Sequence, residues 1–227
     1  MIPCRALIFD MDGLTVDSEP LWFEVERDFA RARGGEWTEE LAMQCIGQGL
    51  ASTLRVMQAS FGFPVDVLRD TSVIVDLFVA RVTELTLKAG FEELLAEARS
   101  RGVPRALASS SARRLVDATL ARFALHGRFD AVVTGDCVAH PKPAPDIFLE
   151  AARRLGVPPE GCVVLEDSLA GVRAGHAAGM RVIAVPEGAA PGEMTALADA
   201  VVGDLHAARA LLSLQGGGPS GPSFVTQ

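Results

Sequence analysis

Two aspartates directly follow a short apolar run near the start of the chain. The run is Ala6-Leu7-Ile8-Phe9, and the next four residues are Asp10-Met11-Asp12-Gly13. Uninterrupted apolar residues are typical of a buried strand in a parallel sheet, and such sheets bind ligands at the carboxyl ends of their strands. Two carboxylates beside apolar surface repel each other unless a cation or a shared proton compensates them. The pattern therefore predicts a central strand that ends at a charged site.

Further short apolar runs are separated by segments with helical periodicity. They lie at 106–108, 131–134, 163–165, 182–185 and 200–202. Strands that alternate with helices indicate βαβ units and a parallel sheet with helices on its faces. We therefore predict an α/β fold whose core is a Rossmann-like, doubly wound parallel sheet.

The segment between the first and second runs has helical spacing and no strand signal. Apolar side chains recur every three or four residues from about 17 to 88, for example at Trp22, Val25 and Phe29. We predict an all-helical cap over the carboxyl ends of the strands, where it would exclude water and select substrate. The predicted organisation is an α/β core over 1–16 and 89–215, a helical cap over 17–88 and a flexible Gly/Pro/Ser tail over 216–227.

Composition and charge restrict the possible partners. The chain has 227 residues, 49% of them apolar, and 21 basic against 29 acidic residues give a formal charge of −8. This charge opposes binding to nucleic acid or to an anionic membrane, so we expect a small-molecule partner. The four cysteines show no CxxC spacing, and neither a signal peptide nor a spanning helix is indicated. We expect a cytoplasmic protein with reduced thiols, and a monomer because the cap needs room to open.

Further polar residues follow strands that a parallel sheet would bring together. Ser109-Ser110-Ser111 follows the second run, Glu166-Asp167 follows the fourth, and Lys142 lies among prolines. Serine hydroxyls and amides at the start of a helix favour an anion, and prolines hold the lysine ammonium in one direction. Together with Asp10 and Asp12, these residues predict a site for Mg²⁺ and a phosphate.

Four ordered motifs resemble those of the haloacid dehalogenase superfamily. They are Asp10-x-Asp12-Gly13, the first serine of Ser109-Ser110-Ser111, Lys142-Pro143-x-Pro145-Asp146 and Glu166-Asp167-Ser168-x-x-Gly171. From Cys4 to about Leu214 the chain is similar in particular to the β-phosphoglucomutase-like phosphatase branch, whose members carry a helical cap at this insertion point. The resemblance implies a Mg²⁺-dependent phosphatase that acts on a small phosphorylated metabolite, with a sugar phosphate as the expected class.

The resemblance also implies a role for each motif residue. Asp10 would attack phosphorus to form an aspartyl-phosphate, and Asp12 would act as general acid and base. Ser109 and Lys142 would bind the non-bridging oxygens of the transferring group. The implied Mg²⁺ ligands are the Asp10 carboxylate, the Asp12 backbone carbonyl, Asp167, and Glu166 either directly or through water.

Other residues are candidates for substrate contacts. Ser110 could bind the phosphate or cap the following helix, and Arg113 could bind an anionic group or lie in solvent. In the cap, Trp22 and Gly47 are candidates for selecting the leaving group. Trp22 could equally belong to the apolar core of the cap.

Other functions of the same superfamily are compatible with parts of this pattern. Dehalogenases lack the second aspartate, which is present here as Asp12, and phosphonate-cleaving members use a cap lysine, whereas Lys88 is the sole lysine besides Lys142. A β-phosphoglucomutase-type mutase has a histidine and an arginine where this chain has Trp22 and residues 47–50, so hydrolysis is favoured over transfer. The mutase and a non-catalytic phosphometabolite-binding module remain alternatives.

Overall fold

The computed structural model describes residues 1–45 and 49–216, and a six-stranded parallel sheet lies at its centre. The strands, in chain order, are β1 (Ile2–Cys4), β2 (Ala6–Phe9), β3 (Val16–Asp17), β4 (Thr86–Leu87), β5 (Arg105–Ser109), β6 (Ala131–Thr134), β7 (Cys162–Glu166), β8 (Arg181–Ala184), β9 (Ala200–Val201) and β10 (Leu212–Leu214). The strand order of the central sheet is β6-β5-β2-β7-β8-β9, and every neighbouring pair is parallel. This confirms the predicted α/β core with β2 as an inner strand.

Helices connect the strands and also form the insertion. They are α1 (Glu19–Arg31), α2 (Glu39–Met43), α3 (Leu50–Phe61), α4 (Val67–Ala80), α5 (Phe91–Ser100), α6 (Arg113–Arg122), α7 (Asp146–Leu155), α8 (Leu169–Ala177), α9 (Gly192–Leu197) and α10 (Leu205–Leu211), with short 3₁₀ turns at Val82–Glu84, Gly135–Cys137 and Pro159–Gly161. None of the helices described is both long enough and apolar enough to cross a membrane.

Successive side chains of β2 point to opposite faces of the sheet and belong to two separate apolar clusters. Leu7 and Phe9 pack with apolar residues of α5, α6, α10 and the inserted helices, whereas Ala6 and Ile8 pack with those of α7 and α8. All four side chains are fully buried. Because helices cover both faces of the sheet, its strands read as continuous apolar runs rather than as an alternating pattern.

Helices α1 to α4 form the cap, and they lie between β3 and β4. These two strands pair in antiparallel register, with Val16 opposite Leu87, so the chain leaves and re-enters the core through one short ladder. The prediction of no strand between 17 and 88 was wrong at Thr86–Leu87, because two residues are too few to show a strand period. The pairing of β1 with β10 was also not predicted. The domain boundaries themselves stay a prediction, and 217–227 of the predicted tail lie outside the described residues.

Candidate active site

Three adjacent strands of the sheet end at the same edge and carry polar residues there. Ser109 is the last residue of β5, Glu166 is the last residue of β7, and Asp10 directly follows β2, which lies between them. Phe9 is in register with Leu165, so Asp10 lies beside the Glu166 end of β7. The parallel arrangement therefore brings together residues that are far apart in the sequence.

Lys142 bridges two of these carboxylates from the loop between β6 and α7. Its Nζ donates to Asp10 Oδ1 at 2.5 Å and to Glu166 Oε1 at 2.6 Å. It also contacts the carbonyl oxygen of Ala108 at 3.3 Å and lies 4.9 Å from the ring centroid of Phe148. The lysine side chain is 6% exposed. A buried ammonium requires such paired acceptors, because an unpaired charge in this position would be strongly destabilising.

Burial and mutual charge shift the ionisation of this group of side chains. Burial raises the pKa of Asp10 to about 8, an effect that Lys142 opposes and that the Glu166 and Asp12 carboxylates reinforce. Burial acts to lower the pKa of Lys142, but Asp10 and Glu166 outweigh it and raise that pKa, so the ammonium stays charged. Burial also raises the pKa of Asp167, and the Glu166 and Asp10 carboxylates add to this effect. The carboxyl groups are thus crowded enough to favour a compensating cation.

The donor set of this cluster fits a divalent cation. Asp10, Glu166 and Asp167 each offer a carboxylate oxygen, and these oxygens lie within 4.8 Å of one another. Carboxylate oxygens are the hard ligands that Mg²⁺ and Ca²⁺ prefer. Gly13 makes room for the cluster, since a Cβ at that position would lie 2.1 Å from Asp167 Oδ2, and its positive φ of 77° also favours glycine.

The Glu166 carboxylate is held from both sides. Its Oε1 accepts from Lys142, and its Oε2 accepts from both the backbone N–H and the hydroxyl of Ser168, each at 3.0 Å. A Cβ on Gly171 would lie 1.8 Å from this carboxyl group, so the first turn of α8 needs glycine there. Glu166 is therefore oriented by the residues of its own motif.

The Asp12 carboxyl group has different partners from that of Asp10. Its Oδ1 accepts from Trp22 Nε1 of α1 at 3.2 Å. Its Oδ2 accepts from Ser111 Oγ at 2.8 Å and from Ser109 Oγ at 3.4 Å. Since all these donors are neutral, the two aspartates differ in electrostatic environment although they are two residues apart.

Some of the predicted substrate contacts lie elsewhere in the structure or outside it. Ser110 is exposed, and the guanidinium of Arg113 pairs with Asp117 at 2.8 Å on the exposed side of α6. Gly47 lies outside the described residues. The roles of Ser110, Arg113 and Gly47 in binding substrate stay predictions.

Other polar residues at the site had no assigned catalytic role in the sequence analysis. Ser111 contacts Asp12, and the buried hydroxyl of Thr15 donates to the backbone carbonyl of Asp10 at 2.6 Å. Ser168 belongs to the fourth motif, but nothing in the pattern alone indicated that it binds Glu166. The sequence signal that could have indicated these contacts is the presence of serine and threonine residues close to the motifs, because short polar side chains often form hydrogen bonds with nearby groups.

Comparison with known proteins identifies the family. A model of haloacid dehalogenase-like hydrolases matches residues 4–179, which include all four motifs. The chain belongs to this family. The described fold, a parallel sheet covered by helices with a helical insertion after β3, is consistent with that membership.

The proteins to which this chain is similar differ in how much of their own length it spans. It is 38% identical over 187 residues to SUPPRESSOR OF QUENCHING 1, chloroplastic, from Arabidopsis thaliana, a match that covers 79% of this chain but 18% of that protein. It is 37% identical over 181 residues to the phosphorylated carbohydrates phosphatase of Thermotoga maritima, covering 79% of this chain and 83% of the relative. The crystal structure of CbbY from Rhodobacter sphaeroides in complex with phosphate has a TM-score of 0.81 and 30% identity, covering 89% of this chain and 95% of CbbY.

Proposed function

We propose that this protein is a Mg²⁺-dependent phosphatase that hydrolyses a small phosphorylated metabolite, with sugar phosphates as the substrate class. The observation that carries the proposal is the contrast between its two aspartates. Asp10 lies in a cluster of carboxylates with a buried lysine, whereas Asp12 is held by neutral donors. Such a pair can divide nucleophilic attack and proton transfer between them. The name of the Thermotoga maritima relative supports a phosphorylated carbohydrate as substrate.

In the proposed reaction, hydrolysis is divided into two displacements at phosphorus. A carboxylate oxygen of Asp10 forms a bond to phosphorus while the bond to the leaving oxygen breaks, and Asp12 gives its proton to that oxygen. The oxygen of a water molecule then bonds to phosphorus as the bond between phosphorus and Asp10 breaks, and Asp12 takes a proton from that water. Inorganic phosphate is released and the Asp10 carboxylate is restored. Ser109 and Lys142 bind the phosphoryl oxygens, where negative charge must be stabilised.

The chain's own ligands for Mg²⁺ would be the carboxylates of Asp10 and Asp167 together with the backbone carbonyl of Asp12. Glu166 would act through water, because both of its oxygens already accept hydrogen bonds from Lys142 and Ser168. Mg²⁺ commonly keeps several waters in its coordination sphere. When bound, the cation supplies positive charge near the phosphoryl oxygens and favours the ionised form of Asp10.

The test is phosphate release from a panel of phosphorylated sugars, sugar alcohols, nucleotides and organic acids. We expect turnover with Mg²⁺, loss of turnover after complete chelation, and loss of turnover in Asp10→Asn. The matched control is Asp28→Asn, an exposed aspartate of the cap, which should keep wild-type rates. Undiminished turnover in Asp10→Asn, or in chelated enzyme, would contradict the proposal.

Transfer of phosphate between sugar positions is the second candidate reaction, and the charges of the cap favour hydrolysis instead. Arg33 and Arg69 both pair with Asp70, and Arg81 pairs with Glu24. Arg81 pairs with a second carboxylate, that of Glu84, while Arg33 and Arg69 share one carboxylate. All three guanidinium groups are therefore engaged with acidic residues, which makes them less suited to hold a second phosphate. Labelled β-glucose 1-phosphate distinguishes the reactions, since a phosphatase yields free glucose and a mutase yields glucose 6-phosphate.

A further inference from the structure

We propose that Trp22 is a positioning residue that determines which oxygen of Asp12 carries the transferable proton. This inference rests on the proposed phosphatase function and adds a residue of the cap to it. The Trp22 indole donates from Nε1 to Asp12 Oδ1 at 3.2 Å. An indole N–H can donate a hydrogen bond but cannot accept one. While this bond is kept, Oδ1 must remain an acceptor whether Asp12 is ionised or protonated.

The partners of the other Asp12 oxygen, Oδ2, are hydroxyl groups that can either donate a hydrogen bond or accept one. Oδ2 lies 2.8 Å from Ser111 Oγ and 3.4 Å from Ser109 Oγ. A hydroxyl group donates to an ionised carboxylate and can rotate to accept from a protonated one. Oδ2 can therefore gain and lose a proton and keep a hydrogen bond to a serine hydroxyl in both states. It also lies on the side of Ser109, which the proposed function assigns to the phosphoryl group.

The indole is held in place by the cap rather than by substrate. Its ring packs on Phe78 of α4, with ring centroids 4.1 Å apart and planes inclined by 33°. Phe78 is fully buried in the apolar core, so its own position is constrained. A change that keeps an aromatic ring at position 22 but removes the N–H would therefore separate hydrogen bonding from packing.

This assignment specifies the proton transfers of both steps. In the first step the proton moves from Asp12 Oδ2 to the leaving oxygen as its bond to phosphorus breaks and the bond from Asp10 to phosphorus forms. In the second step the oxygen of water bonds to phosphorus, the bond to Asp10 breaks, and a proton of that water moves to Oδ2. Trp22 stays bonded to Oδ1 throughout and directs Oδ2 to the reacting oxygens.

The first experiment compares two leaving groups in Trp22→Phe. For an alkyl phosphate such as a hexitol phosphate, whose leaving oxygen needs a proton, we expect kcat/KM to fall about tenfold or more. For p-nitrophenyl phosphate, whose leaving group departs without one, the fall should be less than about threefold. Trp22→His restores a ring N–H and should recover part of the alkyl phosphate activity. Equal losses on the two substrates would overturn the proposal and indicate a packing role.

The matched control for packing is Phe78→Leu, which disturbs the surface under the indole but keeps the N–H. This variant should lower kcat/KM for both substrates by a similar factor. A preferential loss on the alkyl phosphate in Phe78→Leu and not in Trp22→Phe would also overturn the proposal.

A second measurement does not depend on turnover. The chain has two tryptophans, and Trp37 Nε1 donates at 3.1 Å to Glu26, so its indole signal is an internal reference. In ¹H–¹⁵N spectra, Asp12→Ala should shift the Trp22 indole signal upfield and leave that of Trp37 in place. An unmoved Trp22 signal would overturn the proposal. Absence of turnover by the wild-type enzyme on every phosphate, with the Trp22 shift observed, would instead contradict the proposed function.

Discussion

Glu26 is a buried carboxyl group on helix α1 of the cap, and its ionisation opposes folding. Its Oε2 accepts from Trp37 Nε1 at 3.1 Å. Burial raises the pKa of Glu26 from 4.5 to about 7, although hydrogen bonds from Trp37 and Thr53 act against the rise. The folded protein therefore binds this proton more tightly than the unfolded chain does. The stabilisation of the folded state that comes from this tighter proton binding is fully present below pH 4.5 and is lost as the pH rises through about 7.

The first prediction concerns Glu26→Gln, which cannot ionise and still offers Trp37 an oxygen acceptor. We expect the variant to be more stable than wild type at pH 8 by up to about 3 kcal/mol, and by about 1 kcal/mol or less at pH 5. Urea unfolding of both proteins at both pH values measures the difference. Glu36→Gln, at an exposed position of the cap, is the control and should show no such dependence. A gain that is equal at pH 5 and pH 8 would contradict the argument.

At the scale of elements, the junction of β7 and α8 combines a helix cap with the orientation of a site carboxylate. Ser168 is the N-cap of α8, where its Oγ accepts from the backbone N–H of Gly171 at 3.0 Å. The same hydroxyl donates to Glu166 Oε2. The start of this helix is therefore coupled to the position of Glu166.

The second prediction compares two N-caps. Ser168→Ala should lower the free energy of unfolding by about 1 kcal/mol, and so should Asp204→Ala, because Asp204 caps α10 through the N–H of Ala207. Ser168→Ala should in addition weaken Mg²⁺ binding, since it removes a partner of Glu166, whereas Asp204→Ala should not. Chemical denaturation and isothermal titration with MgCl₂ measure the two effects. Equal Mg²⁺ affinity in the two variants would refute the coupling.

At the scale of the whole molecule, the fold gathers carboxylates that repel one another until a cation binds. The Asp10, Glu166 and Asp167 oxygens lie within 4.8 Å of one another, although Asp10 and Glu166 belong to distant parts of the sequence. The folded protein holds this cluster together and the unfolded chain does not. Ligand binding to the folded state alone stabilises it by mass action.

The third prediction is a Mg²⁺-dependent rise in the melting temperature of the wild-type protein. At a free concentration about 100 times the dissociation constant, the gain should be about 2.7 kcal/mol. Asp167→Asn should be more stable than wild type without Mg²⁺, because it removes a carboxyl group whose ionisation is opposed by burial and by the neighbouring carboxylates, and should respond less to Mg²⁺. Thermal melts with MgCl₂, and with NaCl at equal ionic strength as the control, measure both effects. An identical Mg²⁺ response in the two proteins would contradict the prediction.

Much of this architecture could be predicted from the chain because the inner strands are buried on both faces. Continuous apolar runs follow directly from that burial, so the positions of β2, β5 and β7 were visible in the sequence. The pairs β1 with β10 and β3 with β4 were not visible. Strands of two or three residues show no period of their own, and their existence depends on a distant partner.

The sequence by itself determined which polar residues end the inner strands, because local apolar runs and turn residues specify where each strand stops. Only the tertiary structure decided which side chains meet. Lys142 contacts Asp10 across 132 residues and Ser111 contacts Asp12 across 99, and the indole of Trp22 approaches Asp12 from the cap. Such contacts depend on strand order and on how the cap helices pack over the sheet. Neither is encoded in any single segment, since each requires the burial of surfaces from several segments at once.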